Sequence, residues 1–182
     1  VIPPDNVNVI MIAPKGCGNT VRKQFLNGGG INGSWAVHQN YTGDAVDVCM
    51  AMGFLIGMKT LFPTTFKKEV YSDLTGERSL LMGLFKGAIN AQYNILRKNG
   101  HSPAEAFNET VEEALVSLYP LINDNGMDWL YSNCSTTAQR GALDWCQKFE
   151  DVIKPVIEDC YKEVVNGNEA RRVIEKNSRP TY

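Results

Sequence analysis

Ser72-Asp73-Leu74-Thr75-Gly76-Glu77-Arg78-Ser79-Leu80-Leu81-Met82-Gly83-Leu84-Phe85 decides the reading of this chain. Leu74, Leu81, Phe85, Ile89 and Tyr93 recur at helical spacing, so residues 70–96 read as helix, stopped at Asn99-Gly100. Asp73 and Glu77 lie four residues apart and therefore share a helix face, one above the other. Like charges so placed repel by a few tenths of a kcal/mol. A second such pair, Glu109 and Glu113, stands in Asn108-Glu109-Thr110-Val111-Glu112-Glu113-Ala114, about one helix hairpin downstream. A hard divalent cation offsets this repulsion: Mg²⁺ takes oxygen ligands and is commonly held by one or two carboxylates per site. Four carboxylates converging between helices are enough for two ions.

An acidic pair is most often a solvated helix face, and Ser72 or Asp73 is also a good helix N-cap. The surroundings favour the metal reading. An apolar run follows the first pair, and Ala106, Phe107, Val111, Ala114 and Leu115 surround the second. Carboxylates beside apolar faces are costly unless paired or metal-bound.

Outward from this helical zone the pattern changes. Residues 7–13 read as a buried strand, followed by a Gly-rich turn, Pro14-Lys15-Gly16-Cys17-Gly18-Asn19-Thr20. Asn19 or Thr20 is then the expected cap of a short helix, 21–26. Asn27-Gly28-Gly29-Gly30 breaks it, 34–38 reads as a second strand and 42–57 as a helix. Alternating strands and helices signal an α/β sheet. Past Pro63 no strand signal remains. Ser102-Pro103-Ala104-Glu105 is a capping box with Pro at the first helical position, opening a helix towards Tyr119-Pro120. Thr136 or Thr137 opens a later helix, and 153–165 is amphipathic up to Asn166-Gly167. Gly16-Cys17-Gly18 fits neither phosphate-loop pattern. Lys15, at the carboxyl end of a strand, stands where α/β sheets place ligands. Ser135 is either a site residue or a plain N-cap.

Composition narrows the function classes. The chain has 182 residues, is 43% apolar and carries a net charge of −2 with no basic patch, which argues against nucleic acid. The apolar run from Cys49 to Met58 is too short and Gly-broken to span a membrane. Five cysteines with no metal-ligand spacing read as reduced thiols of a cytosolic or matrix-like compartment. The expected location is therefore the cytoplasm if the source is bacterial, or an organelle matrix if it is eukaryotic.

Several stretches together resemble ketol-acid reductoisomerase (acetohydroxy-acid isomeroreductase), essentially end to end. They are Val9-Ile10-Met11-Ile12-Ala13-Pro14-Lys15-Gly16, Ala36-Val37-His38-Gln39, Thr64-Thr65-Phe66, Ser72 to Arg78, Asn108 to Ala114, and Asn133-Cys134-Ser135-Thr136-Thr137-Ala138. The resemblance implies a mainly α chain. Residues 64–182 would be the all-helical, intertwined (knotted) metal-, substrate-binding and dimerisation domain, and 1–63 the last β/α units of a Rossmann-like dinucleotide-binding domain. It implies two Mg²⁺ ions ligated by Asp73, Glu77, Glu109 and Glu113. It makes Lys15 and Glu113 catalytic, with Lys15 at the active-site mouth, and has Ser135 binding the acetohydroxy acid. It also implies NADPH as hydride donor and a homodimer or higher oligomer. The activity implied is Mg-dependent alkyl migration and reduction of 2-acetolactate to 2,3-dihydroxyisovalerate, in branched-chain amino acid biosynthesis.

The family's Gly-rich fingerprint and its Ser-His-Gly segment are absent, and Asn27-Gly28-Gly29-Gly30 stands where many relatives are more basic. The chain is therefore expected to begin inside the last third of the dinucleotide domain, to be clipped near Asn177-Ser178-Arg179-Pro180, and to be inactive alone in the full reaction. The rival expectation is a non-catalytic helical assembly module, in which a buried Arg or Lys would neutralise the carboxylates.

Overall fold

The computed structural model describes residues 2–178. Positions 179 and 180 of the expected clipping region lie outside them. The chain divides into two units, Val1–Asp73 and Leu74–Tyr182.

The first unit holds β1 (Val9–Pro14), α1 (Gly18–Leu26), β2 (Gly33–Gln39), α2 (Ala45–Leu55), β3 (Leu61–Pro63) and the start of α3 (Phe66–Arg78). The strands lie in the order β1-β2-β3. The β2-α2-β3 segment is a parallel crossover, but β1 runs antiparallel to β2, with Ile12 opposite Trp35 and Pro14 opposite Gly33. The sheet is thus mixed, not the all-parallel ladder that alternating strands and helices usually signal. α2 lies over it with Ala45 and Cys49 fully buried. The Cys49 thiol donates to the Met11 carbonyl at 3.3 Å. Gly53 permits the close approach: a Cβ there would sit 2.7 Å from Leu61 Cδ1. The helix expected over 21–26 begins earlier, at Gly18, with Cys17 as its N-cap. The strand β3 was not legible, being three residues long and ending in Pro63.

The second unit is helical: the end of α3, α4 (Gly83–Lys98), α5 (Pro103–Phe107), a π-helix (Asn108–Leu118), α6 (Tyr119–Asn125), α7 (Met127–Asn133), α8 (Thr136–Val165) and α9 (Asn168–Asn177). The continuous helix expected over 70–96 is broken at 79–82. Leu80, Leu81 and Met82 there are each about two-thirds exposed, so Leu81 is not a core position. Gly83 makes the break possible, since a Cβ at that position would run into the Arg78 carbonyl oxygen. α3 itself starts at Phe66, where Thr65 Oγ1 accepts from the Lys68 N–H at 3.2 Å. Asp73 is therefore a mid-helix residue and not a cap.

The expected capping box is formed: Ser102 Oγ accepts from the Glu105 N–H, and the Glu105 carboxylate accepts from the Ser102 N–H at 2.7 Å. The helix it opens does not stop at Pro120. It widens into the π-helix, where the Tyr119 N–H reaches the Ala114 carbonyl five residues back, and continues as α6. A proline in a helix loses one hydrogen bond and clashes with the carbonyl four residues earlier, and local π geometry is one way to accommodate it. α8 is one helix of 30 residues running through Pro155. Ile153, Ile157, Cys160 and Val164 form its covered stripe. A different stripe, Trp145, Phe149, Val152 and Val156, is 56–70% exposed. No helix among the described residues is long and apolar enough to cross a membrane, and all five cysteines are free thiols.

Candidate functional site

The feature that sequence reading missed is Glu69. It lies one turn before Asp73 and two before Glu77, so three carboxylates mark successive turns of α3. Glu69 is only 6% exposed. Its Oε1 accepts from the Lys15 ammonium, which follows directly on the end of β1. Its Oε2 accepts from Ser34 Oγ of β2 at 2.7 Å, and Ser34 is fully buried. A buried carboxylate is tolerated when a cation and a second donor satisfy it. Strand β1 and helix α3 are thus bolted together at Lys15. The i, i+4, i+8 spacing was the available signal, hidden because Ser72-Asp73 resembled a helix start. His38, farther along β2, meets Phe66 edge-on, with ring centroids 5.7 Å apart.

Asp73, Glu77, Glu109 and Glu113 are all exposed. The carboxylates of Asp73, Glu109 and Glu113 have no hydrogen-bond or ion-pair partner among the described residues, and Glu77 Oε2 accepts only from Arg78 Nη1, at 3.2 Å. Glu109 and Glu113 ride on the π-helix, where a turn takes roughly 4–5 residues, so the pair still shares one face. Gln92 Nε2 of α4 donates to the Glu109 carbonyl at 2.8 Å, tying the segment down. The hydroxyls of Thr75, between Asp73 and Glu77, and of Thr110, beside Glu109, are buried and unpartnered among the described residues. The donor set is hard, anionic and all oxygen, which fits Mg²⁺. Within one chain, however, the described residues contain no cluster of three or more acidic, His or Cys side chains able to hold an ion. The two pairs are formed but not brought together.

Ser135 is the N-cap of α8: its Oγ accepts from the Ala138 N–H at 3.2 Å. Its neighbours Cys134 and Ala138 line an apolar cavity of about 290 Å³, with Leu118, Tyr119, Ile122 and Tyr131. An alternating run of charge closes off the end of α3. Arg78 Nε donates to Glu169 Oε2 of α9 at 2.6 Å, and Arg172 forks onto the same carboxylate at 2.6–3.0 Å. Arg172, and then Arg78, hold the Glu169 carboxyl below the usual carboxylate range.

Two expectations follow. Ser34→Ala leaves one oxygen of a buried carboxylate unsatisfied and should cost about 1–3 kcal/mol in denaturant unfolding. Glu169→Gln should cost about 1–2 kcal/mol at neutral pH. A carboxyl lowered in the folded state stabilises above its unfolded pKa and loses that contribution as pH falls through the folded value. The two unfolding curves should therefore converge below about pH 4.3, and a gap that persisted in acid would contradict the ion-pair account.

The model of the ketol-acid reductoisomerase C-terminal domain matches residues 66–182, and that of the acetohydroxy acid isomeroreductase NADPH-binding domain matches residues 1–62. The chain is 59% identical to a protein of Desulfosudis oleivorans named ketol-acid reductoisomerase (NAD(+)), over 100% of this chain and 52% of that protein. It is 56% identical to the mitochondrial ketol-acid reductoisomerase of Neurospora crassa, over 98% of this chain and 44% of that protein. The solved structure of an NADH-preferring ketol-acid reductoisomerase from an uncultured archean superposes with a TM-score of 0.90 at 30% identity, covering 98% of this chain and 55% of that one. The chain thus spans about half the length of the curated relatives it matches. With both domain models matched in order, and the helical one covering well over half of its length, the chain belongs to the ketol-acid reductoisomerase family.

Proposed function

We propose that this chain carries the metal- and substrate-binding half of a ketol-acid reductoisomerase of branched-chain amino acid biosynthesis. The substrate would be an acetohydroxy acid such as 2-acetolactate, and the product 2,3-dihydroxyisovalerate. The observation that carries the reading is the row on α3: Glu69 is buried and paired, while Asp73 and Glu77 are exposed. One helix thereby supplies an anchor and two available anionic oxygen donors.

When bound, two Mg²⁺ ions supply Lewis acidity for the 1,2-alkyl shift, and NADPH supplies the hydride. Asp73 and Glu77 would hold the cations from one copy of the chain, and Glu109 and Glu113 from a second copy. Two facts support this sharing: a single chain leaves the pairs apart, and the Trp145-Phe149-Val152-Val156 stripe of α8 is uncovered. Glu69 fixes the Lys15 ammonium, so that Lys15 presents a positive charge and a proton donor at the mouth of the site. Glu113 would serve both as a ligand and in proton transfer. Ser135 Oγ, already fixed as an N-cap acceptor, has its proton free to bond the substrate. The hydride donor is read as NADPH. Relatives in Petrotoga mobilis and Leuconostoc mesenteroides are named for NADP(+), and that in Desulfosudis oleivorans for NAD(+). The compartment is read as cytoplasm or organelle matrix; fungal relatives are named mitochondrial.

Mg²⁺ should raise the melting temperature, as a ligand of the folded state must, and Glu77→Gln should remove that rise. An equal response in both proteins would defeat the metal assignment. Sedimentation at micromolar concentration should show a dimer, since an apolar stripe of this kind rarely stays bare; a monomer would contradict the shared site. With acetolactate, Mg²⁺ and either NADPH or NADH, the chain alone should not sustain coenzyme oxidation, because positioning the nicotinamide needs the phosphate-cradling loop that no stretch here supplies. Steady oxidation at the rate of a full-length relative would show that the two halves of the reaction do not divide this way.

A further inference from the structure

We infer that Glu169, on α9, is a positioning residue for the Glu77 carboxylate and acts through Arg78. The inference rests on the reading of Glu77 as a cation ligand. Arg78 is the last residue of α3, and Glu77 is its neighbour. Residues one apart on a helix do not face each other, so a contact between their side chains requires the arginine to be bent back and held. Two contacts hold it. Nε donates to Glu169 Oε2 at 2.6 Å, and Nη1 donates to the Leu74 carbonyl at 3.2 Å, one turn back on α3. A guanidinium is a rigid planar fork, so fixing Nε on α9 and Nη1 on α3 sets its plane. Nη1 then meets Glu77 Oε2 at 3.2 Å, leaving Oε1 free of any partner among the described residues.

Charge balance points the same way. Arg172, Glu169, Arg78 and Glu77 alternate in sign from α9 to the C-terminal end of α3. Glu169 is 14% exposed as a side chain, whereas Glu77 is 49% exposed. Arg78 is therefore shared, with its shorter bond to Glu169. An arginine without that anchor would be free to take both oxygens of Glu77 and compete with the cation. Glu169 thus orients Glu77 and restrains its competitor, and losing it should weaken cation binding on both counts. Hydrogen-bonded partners behind ligating groups typically contribute 10–100-fold in metal affinity.

The test is calorimetric titration of the full chain with Mg²⁺ alone, at a temperature where each variant is folded by circular dichroism. Glu169→Gln should bind Mg²⁺ about 10-fold more weakly than the wild type. Arg78→Lys keeps the charge but loses the fork, and should show a similar loss; it also carries the test if Glu169→Gln fails to fold. Glu77→Gln should lose the response. A Glu169→Gln protein with a lower Mg²⁺-free melting temperature but wild-type Mg²⁺ affinity would confine Glu169 to fastening α9 and overturn the proposal. Wild-type affinity in Arg78→Lys would also overturn it. Absence of binding by the wild type would overturn the metal reading itself.

Discussion

The buried carboxylate of Glu69 is the constraint on which the site depends. A charge taken out of water is tolerated only with partners of the right kind, and Glu69 has two, the Lys15 ammonium and the Ser34 hydroxyl. Because both oxygens are engaged, the rotation of α3 about its axis is set at that point. Along the same continuous helix, Asp73 and Glu77 then fall on the following turns. Lys15 is fixed by the same bond, and with it the turn that follows β1.

The second acidic pair is positioned by different means. It rides on a π-helix, an uncommon conformation that recurs at functional sites. Gln92 takes the Glu109 backbone carbonyl from outside the helix, and Tyr119 closes a five-residue bond onto Ala114. The Thr110 hydroxyl beside Glu109 is buried and has no partner among the described residues. The carboxylates of Glu109 and Glu113 are exposed and unpaired among the described residues.

Much of the apolar surface of the helical unit is uncovered in the single chain. α8 shows two stripes, one turned inward through Ile157, Cys160 and Val164, the other bare through Trp145, Phe149, Val152 and Val156. Under the proposed function, a second copy of the chain would account both for the bare stripe and for the separation of the two acidic pairs. α9 is fastened to α3 by the Arg78–Glu169 ion pair, so the last described helix is joined to the carboxylate-bearing one.

What the sequence determined by itself was local. The Ser102 capping box, the stops at Asn99-Gly100 and Asn166-Gly167, and the four-residue spacing of both acidic pairs each depend on groups within one or two turns. Such signals survive in any fold. The tertiary structure decided what depends on distant partners. Glu69 meets Ser34 and Lys15 across 35 and 54 residues, and nothing near Glu69 announces that pairing. The direction of β1 was not legible, because an apolar strand reads the same in parallel and antiparallel ladders. The break at 79–82 was hidden because apolar periodicity continues through Leu81, and only the close approach of Gly83 to the Arg78 carbonyl reveals it. Spacing along a chain fixes which side chains share a face, whereas burial and charge pairing fix which faces meet, and those are settled only when remote segments compete for the same space.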